Sequence, residues 1–290
     1  MVVNRHGDQQ WTLFSPVEVP DLHEKYGKAF EKAYVDYENI AELGGICLFK
    51  KVDAKTLWRK MLTQVFETGH PWITFKDPGN IRSPQKHAGV VHSSNLCAEI
   101  TLNTSQSEIA VCNLGSVVVS NHIVNIDGQW QIDHKKLSTT VTLALRMLDN
   151  VIDLNLYNRR EAKISNMRHR PAAMGMMGMQ DAFYIMELAF DSLEAIDFSN
   201  EFTEAQCYYA YTASAALAQE RGAYSGFDGS DWSKGVLPLD TLAQLESERG
   251  LCIETTPGCT NRGCPGVTCA RKSRKVCAIQ TALPLPRQPP

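Results

Sequence analysis

Residues 92–116 read HSSNLCAEITLNTSQSEIAVCNLGS, and they place two cysteines and an acid close together. Cys97 and Cys112 are fifteen positions apart, and Glu99 follows the first cysteine by two positions. In an extended segment, side chains two positions apart project to the same side, so Cys97 and Glu99 could meet one substrate. Such a pair suits a sulfur that abstracts hydrogen beside a carboxylate that accepts a proton.

Spacing alone leaves other roles open for these residues. A nucleophilic cysteine needs a histidine, and His92, five positions before Cys97, neither supports nor excludes that pair. Zinc would need two close ligand pairs, which this stretch lacks. The structural alternative is that both cysteines fill buried space and that Glu99 is a solvated surface acid.

Composition describes an ordinary globular chain. The 290 residues carry a net charge of −3, so the sequence predicts no bulk attraction to nucleic acid or to an anionic membrane. The N-terminus lacks a basic region followed by an apolar run, and no segment reaches the roughly 18 apolar residues of a membrane helix. We therefore expect a cytoplasmic protein without nucleic-acid or membrane partners. Its cysteines would be free, catalytic or metal-bound.

Hydrophobic periodicity predicts helices alternating with short strands, which is typical of an α/β architecture. The predicted helices run from Asp21 to about Leu43, from the N-cap Asp53 to Gly69, from Lys135 to Asn155, from Met176 to Ala189 and from Asn200 to Arg221. The predicted strands are PWITF at 71–75, AEITL at 98–102 and GSVVVS at 115–120.

Two further patterns favour structural roles. The methionines of MGMMGM, residues 174–179, alternate with glycines and are better explained by close helix packing than by a cofactor site. His169 lies between Arg168 and Arg170, where a structural or surface cluster is favoured over a phosphate site.

The segments SSNLCAEI, residues 93–100, and EIAVCNLGS, residues 108–116, closely resemble the catalytic core of the large subunit of class I ribonucleotide reductase. The resemblance extends in order through QWTLFSPVEVP, LWRKMLTQVFETGHPWITFKD, NIRSPQ, SNMRHRPAAMGMMGMQDAFY and ERGAYSGFDGSDW. It covers roughly residues 8–257.

This resemblance implies part of a ten-stranded α/β barrel, incomplete at both ends, that reduces ribonucleoside diphosphates to deoxyribonucleoside diphosphates for DNA precursor synthesis. Cys97 would be the thiyl radical site, Glu99 the acceptor of the 3′ hydroxyl proton and Asn95 a residue that orients the sugar. Cys112 would be one member of the redox pair that supplies the reducing equivalents. The substrate-binding residues would be Asn95, Leu96, Cys97, Ala98, Glu99, Asn113 and Leu114.

The resemblance also implies partners. They are a small subunit with a metal or radical cofactor, a thioredoxin or glutaredoxin type reductant, ATP and deoxynucleotide effectors, and a second large subunit in a homodimer. We expect these residues to bind no cofactor or metal directly. The family's regulatory domain and its other redox cysteine lie upstream of the matching region.

The sequence after Pro257 departs from the family pattern. Residues 258–290 are basic, rich in cysteine and proline, and match nothing, so we interpret them as a frameshift product. A small zinc loop built from Cys259, Cys264, Cys269 and Cys277 is the disfavoured rival, because the CxxC pairs of strong zinc motifs are missing.

The sequence thus predicts a reductase fragment, with residues 1–257 as a partial catalytic barrel that is inactive by itself. The alternative is a non-catalytic truncated product that acts at most as a binding module or is an unstable remnant.

Overall fold

The computed structural model describes residues 10–249 and 283–284, in two compact units. The first unit comprises the residues up to Ile81 together with Val90–Thr101. The second comprises Arg82–Gly89 and the residues from Leu102 onward.

The first unit combines a pair of short antiparallel strands with three helices. Its elements are β1 (Gln10–Phe14), a 3-10 turn (Leu22–Glu24), α1 (Gly27–Glu42), β2 (Phe49–Asp53), α2 (Ala54–Thr68) and α3 (Lys76–Ile81). Strands β1 and β2 pair in register from Gln10 opposite Asp53 to Phe14 opposite Phe49. Val19, Ala41 and Ile46 form a small buried apolar cluster in this unit.

Helix α2 confirms the predicted caps. The Asp53 carboxylate accepts a hydrogen bond from the Thr56 N–H at 2.7 Å, which satisfies one of the amides left free at a helix start. The helix ends at Gly69, whose φ of +73° suits glycine and whose N–H donates to the Val65 carbonyl.

In the second unit, helices and strands pack around one apolar core. Its elements are β3 (Asn113–Val118), a 3-10 turn (Val119–His122), β4 (Ile123–Ile126), β5 (Gln129–Ile132), α4 (His134–Leu154), α5 (Arg160–His169), β6 (Pro171–Met177), α6 (Met179–Ile185), α7 (Leu193–Arg221), α8 (Asp240–Arg249) and β7 (Leu283–Pro284). Strand β6 lies between β3, to which it is parallel, and β7, to which it is antiparallel.

Helices α4 and α7 contribute buried residues to the core, and for α4 the periodicity predicts the buried face. In α4, Leu137, Val141, Leu145 and Ile152 recur on one face and are fully buried. Leu148 packs partly buried against the same cluster. Helix α7 begins at Leu193, seven residues before the predicted start, because the Ser192 hydroxyl caps the Ala195 N–H.

Two predicted strands are wrong, and the helix predicted from Met176 begins at Met179, as α6. Residues 71–75 and 98–102 form no strand within the described part of the chain, and residues 96–98 turn instead. The methionine segment is strand β6 rather than the start of a helix, since its backbone pairs with β3. A Cβ atom at Gly175 would lie 3.0 Å from the Ser116 Oγ, so a small residue suits this close approach. The prediction that the methionines pack is confirmed for Met174, Met176 and Met179.

The architecture is mixed α and β, as expected, but the described residues contain no closed sheet. Their sheets hold two, three and two strands. The predicted boundary at residue 258 lies outside the described residues, and of the tail beyond it the structure describes only strand β7.

Leu145→Ala should lower the free energy of unfolding by about 2–5 kcal/mol, because it removes apolar contacts and leaves a cavity in the core. Leu143 lies on the same helix with 58% of its surface exposed, so Leu143→Ala is the matched control and should change stability by about 0.5 kcal/mol or less. Urea unfolding of the full chain measures both. Equal losses in the two variants would show that α4 does not bury the face we describe.

Candidate active site

The first candidate residues lie in a tight turn that we call the thiol loop, residues 93–100. The Asn95 N–H donates to the Ile100 carbonyl at 3.3 Å, and the Ala98 N–H donates to the Asn95 carbonyl at 3.1 Å. The Asn95 side-chain oxygen accepts the Ile100 N–H at 3.0 Å. Asn95 therefore closes the loop through both its backbone and its side chain.

Asn95 also holds the candidate base. Its side-chain NH₂ donates to Oε1 of Glu99 at 2.7 Å. The other carboxylate oxygen, Oε2, is buried and has no hydrogen-bond partner among the described residues. A buried carboxylate oxygen without a partner is costly, so this atom is ready to accept a hydrogen bond or a proton from a bound molecule.

Cys97 lies at the exposed tip of the loop as a free thiol. Its neighbour Leu96 is 92% exposed, and Ala98 has a φ of +67°, a left-handed conformation that is uncommon for alanine. The segment is therefore not extended, and the argument that alternation places Cys97 and Glu99 on one side is wrong. The turn, with Asn95 as its closing residue, brings Asn95 and Glu99 together instead.

The second set of candidate residues begins strand β3 in the other unit. Cys112 is exposed and free directly before the strand. Asn113 is buried, and its NH₂ group donates to the Asn166 side-chain oxygen and to the Pro171 carbonyl, each at 2.8 Å. Leu114 is half-exposed. Asn113 thus ties β3 to the start of β6, and a role in lining a substrate pocket stays a prediction.

Sequence reasoning missed the role of Glu108, which lies between the two candidate cysteines and is 4% exposed. Its carboxylate accepts hydrogen bonds from Arg168 at 2.7 Å, His169 at 3.1 Å and Asn103 at 3.3 Å. Burial opposes ionisation, but the bonds from Arg168 and His169 hold the pKa of Glu108 below its usual value. The only sequence signal was a lone acid four positions before Cys112.

His169 is buried beside Glu108, and burial lowers the pKa of its imidazole although Glu108 opposes that shift. Because the Glu108 carboxylate accepts from Nε2–H, the neutral ring leaves Nδ1 bare. Nδ1 is buried and has no hydrogen-bond partner in the described part of the chain. This side chain is a structural group held neutral, which agrees with the structural interpretation of the cluster.

Arg170 completes that cluster as a buried ion network. Its guanidinium donates to Asp149 at 2.9 Å and to Asp153 at 2.7 Å, and Arg221 donates to the other oxygen of Asp149. Asp149 is fully buried and Arg170 is 1% exposed. Burial opposes the charge of Arg170, but the hydrogen bonds that its guanidinium donates to Asp153 and Asp149 outweigh burial and raise the pKa. A buried guanidinium already bound to two carboxylates favours the structural cluster over a phosphate site.

The described residues form no group of three or more His, Cys, Asp or Glu side chains that could hold a metal ion. Among those residues, no helix combines the length and apolar character needed to cross a membrane.

The family model for the barrel domain of ribonucleotide reductase matches residues 1–271. The ribonucleoside-diphosphate reductase subunit alpha of Chlamydia pneumoniae is 55% identical over 240 residues, which is 83% of this chain and 23% of that protein. The large subunits of Caenorhabditis elegans and of vaccinia virus strain Copenhagen are each 39% identical, over 80% and 83% of this chain and 29% and 30% of their own lengths. The chain thus spans about a quarter of the curated relatives it matches.

His169 predicts a specific loss of stability in acid. Its pKa is lowered in the folded protein, whereas the unfolded value is about 6.5, so between these values the unfolded chain binds more protons. The free energy of unfolding should therefore fall as pH drops from 7 to 5. In His169→Gln, which keeps a donor for Glu108, the free energy of unfolding should fall less steeply.

Urea unfolding at several pH values measures these slopes. The matched control is His134→Gln, which changes an exposed histidine of the same unit that contacts Tyr209 and should keep the slope of the unchanged protein. Parallel slopes for the unchanged protein and His169→Gln would contradict the assignment of His169 as a buried neutral group.

Proposed function

Because the chain belongs to the ribonucleotide reductase barrel-domain family, we propose that it is a catalytic segment of a ribonucleoside-diphosphate reductase large subunit. The observation that carries the proposal is the turn at Asn95, which holds one oxygen of Glu99 and leaves the other buried without a partner among the described residues, in the loop that exposes the free thiol of Cys97. The relatives that share this family are named as reductases of ribonucleoside diphosphates.

The proposed chemistry assigns each group a defined transfer. A sulfur radical at Cys97 takes the 3′ hydrogen atom of the ribose, and the free oxygen of Glu99 takes the 3′ hydroxyl proton. Asn95 donates to Glu99 and keeps the carboxylate in place. The 2′ hydroxyl takes a proton from one of two further thiols and leaves as water, and the hydrogen of the other thiol ends on C2′. Cys97 returns its hydrogen atom to C3′, and Glu99 returns the proton to the 3′ oxygen.

The reduction needs two electrons, which come from two thiols that close a disulfide. Cys112 would be one of these thiols, and a dithiol protein of the thioredoxin or glutaredoxin type would reopen the bond by exchange. The second thiol and the radical source would come from outside the residues described here. Leu96, Ala98, Asn113 and Leu114 would border the substrate, and the paired strands β3 and β6 would contribute to a ten-stranded barrel.

A polypeptide that consists only of these residues should not catalyse the reduction of ribonucleoside diphosphates. The observation behind this proposal is the small share of the relatives that the chain covers, 22–30% of their length. The alternative function, a non-catalytic product that acts only as a binding module, would require the isolated chain to fold cooperatively and to bind an intact large subunit.

The sharpest test transfers the segment into a complete enzyme. We expect a chlamydial alpha subunit whose matching 240 residues are replaced by those of this chain to reduce a ribonucleoside diphosphate when its small subunit and a dithiol are supplied. Cys97→Ser should abolish turnover, and Glu99→Gln should lower kcat by about 100-fold or more. A 3′-deuterated substrate should show a primary isotope effect.

Cys47 is the matched control, because it is an exposed free thiol of the same unit outside the thiol loop. Cys47→Ser should leave the chimera active. A folded chimera that binds its small subunit and keeps its full activity after the Cys97→Ser substitution would overturn the assignment of the radical site.

A further inference from the structure

The entry to the thiol loop is clamped by a side chain outside the loop. Asn80, on the short helix α3, is 2% exposed. Its side-chain oxygen accepts the Val91 N–H at 2.8 Å, and its NH₂ group donates to the Val91 carbonyl at 2.8 Å. The same NH₂ group donates to the Lys76 carbonyl at 3.0 Å. The amide therefore imitates the edge of a strand and pairs with both backbone groups of Val91.

This clamp matters because Val91 is itself buried, at 3% exposure. Without Asn80, its N–H and C=O groups would lose their partner in a place that water does not reach, and a buried backbone group without a partner is costly. The hydrogen bonds of the Asn80 side chain all involve backbone atoms, so this side chain stabilises the backbone conformation at Val91.

Helix α3 also lies near the exit of the loop. A Cβ atom placed on Gly79 would lie 3.5 Å from Cγ2 of Thr101, so the Thr101 side chain faces Gly79 with room for about one methyl group between them. Thr101 directly follows Ile100, the residue that closes the turn with Asn95. Asn80 thus holds the chain where it enters the loop, and its neighbour Gly79 lies near the chain where it leaves.

A second contact fixes the residue after Val91. The His92 Nε2 lies 3.0 Å from Oε1 of Glu24, and the His92 ring stacks on His23 with ring centroids 4.3 Å apart. Asn95 follows His92 by only three positions, so the turn can move only a short distance when Val91 and His92 are fixed.

We propose that Asn80 is a positioning residue for the thiol loop, acting through Val91 to keep the turn that presents Cys97 and Glu99. The proposal rests on the function proposed above for that loop. Asn80 touches no reacting atom. It sets the geometry of Asn95, which in turn holds the Glu99 carboxylate at 2.7 Å.

Amide hydrogen exchange of the full chain, resolved residue by residue by NMR, tests this proposal. In Asn80→Ala, the Val91 amide should exchange about tenfold faster or more, because its acceptor is gone. The amides of Ala98 and Ile100, which close the turn seven and nine residues further on, should also accelerate by at least about threefold. Asn80→Asp keeps an acceptor for Val91 and should protect that amide better than Asn80→Ala.

Tyr34 supplies a matched control in the same unit. Its hydroxyl accepts the Thr12 N–H at 2.6 Å and donates to the Thr12 carbonyl at 3.0 Å, so it clamps one backbone residue as Asn80 does, but far from the loop in sequence. Tyr34→Phe removes that clamp and should accelerate the Thr12 amide while leaving Ala98 and Ile100 unchanged.

Two results would overturn the proposal. Acceleration of Val91 alone in Asn80→Ala would make Asn80 a local support without influence on the turn. Equal acceleration of Ala98 and Ile100 in both variants would mean that the loop merely follows the stability of the unit. Neither readout involves substrate or turnover, so failure of the reductase function and failure of the positioning role are distinguished.

Discussion

The second unit depends on the buried ion network of Arg170. Arg170 follows helix α5 in a left-handed conformation, with a φ of +44°, and immediately precedes strand β6. Its bonds to Asp149 attach this junction to helix α4, and Arg221 attaches helix α7 to the same carboxylate. Removing one partner from such a network leaves an uncompensated buried charge, so the three helices and the strand are constrained together.

That constraint extends to the candidate redox thiol. Pro171, the residue after Arg170, offers its carbonyl to Asn113, and Asn113 starts the strand that follows Cys112. The parallel pairing of β3 with β6 then runs to Val118 opposite Met177. The position of an exposed cysteine is therefore set by buried groups that never touch it, because only buried, fully paired polar groups have one low-energy arrangement.

Glu99 and Glu108 lie nine positions apart and differ in how many hydrogen bonds their carboxylates accept. Glu108 has hydrogen-bond donors from three side chains, which is the pattern of a group that holds a fold together. Glu99 has one donor and one buried oxygen left without a partner among the described residues. Glu99 can therefore accept a further hydrogen bond from a bound molecule, whereas the carboxylate of Glu108 already has its donors.

The sequence by itself determined the family, the helices with strong periodicity and caps, and the residue types at the candidate site. Asp53 and Gly69 could be predicted as helix ends because their interactions are local, and the buried face of α4 could be predicted because its spacing is regular. What only the tertiary structure decided was non-local. Strand β6 needed β3 as its partner, the turn at Asn95 needed bonds that alternation could not reveal, and Asn80 acquires its role from a residue eleven positions away. Pattern and propensity report what each segment prefers, whereas a buried hydrogen bond depends on which distant group the fold brings to it.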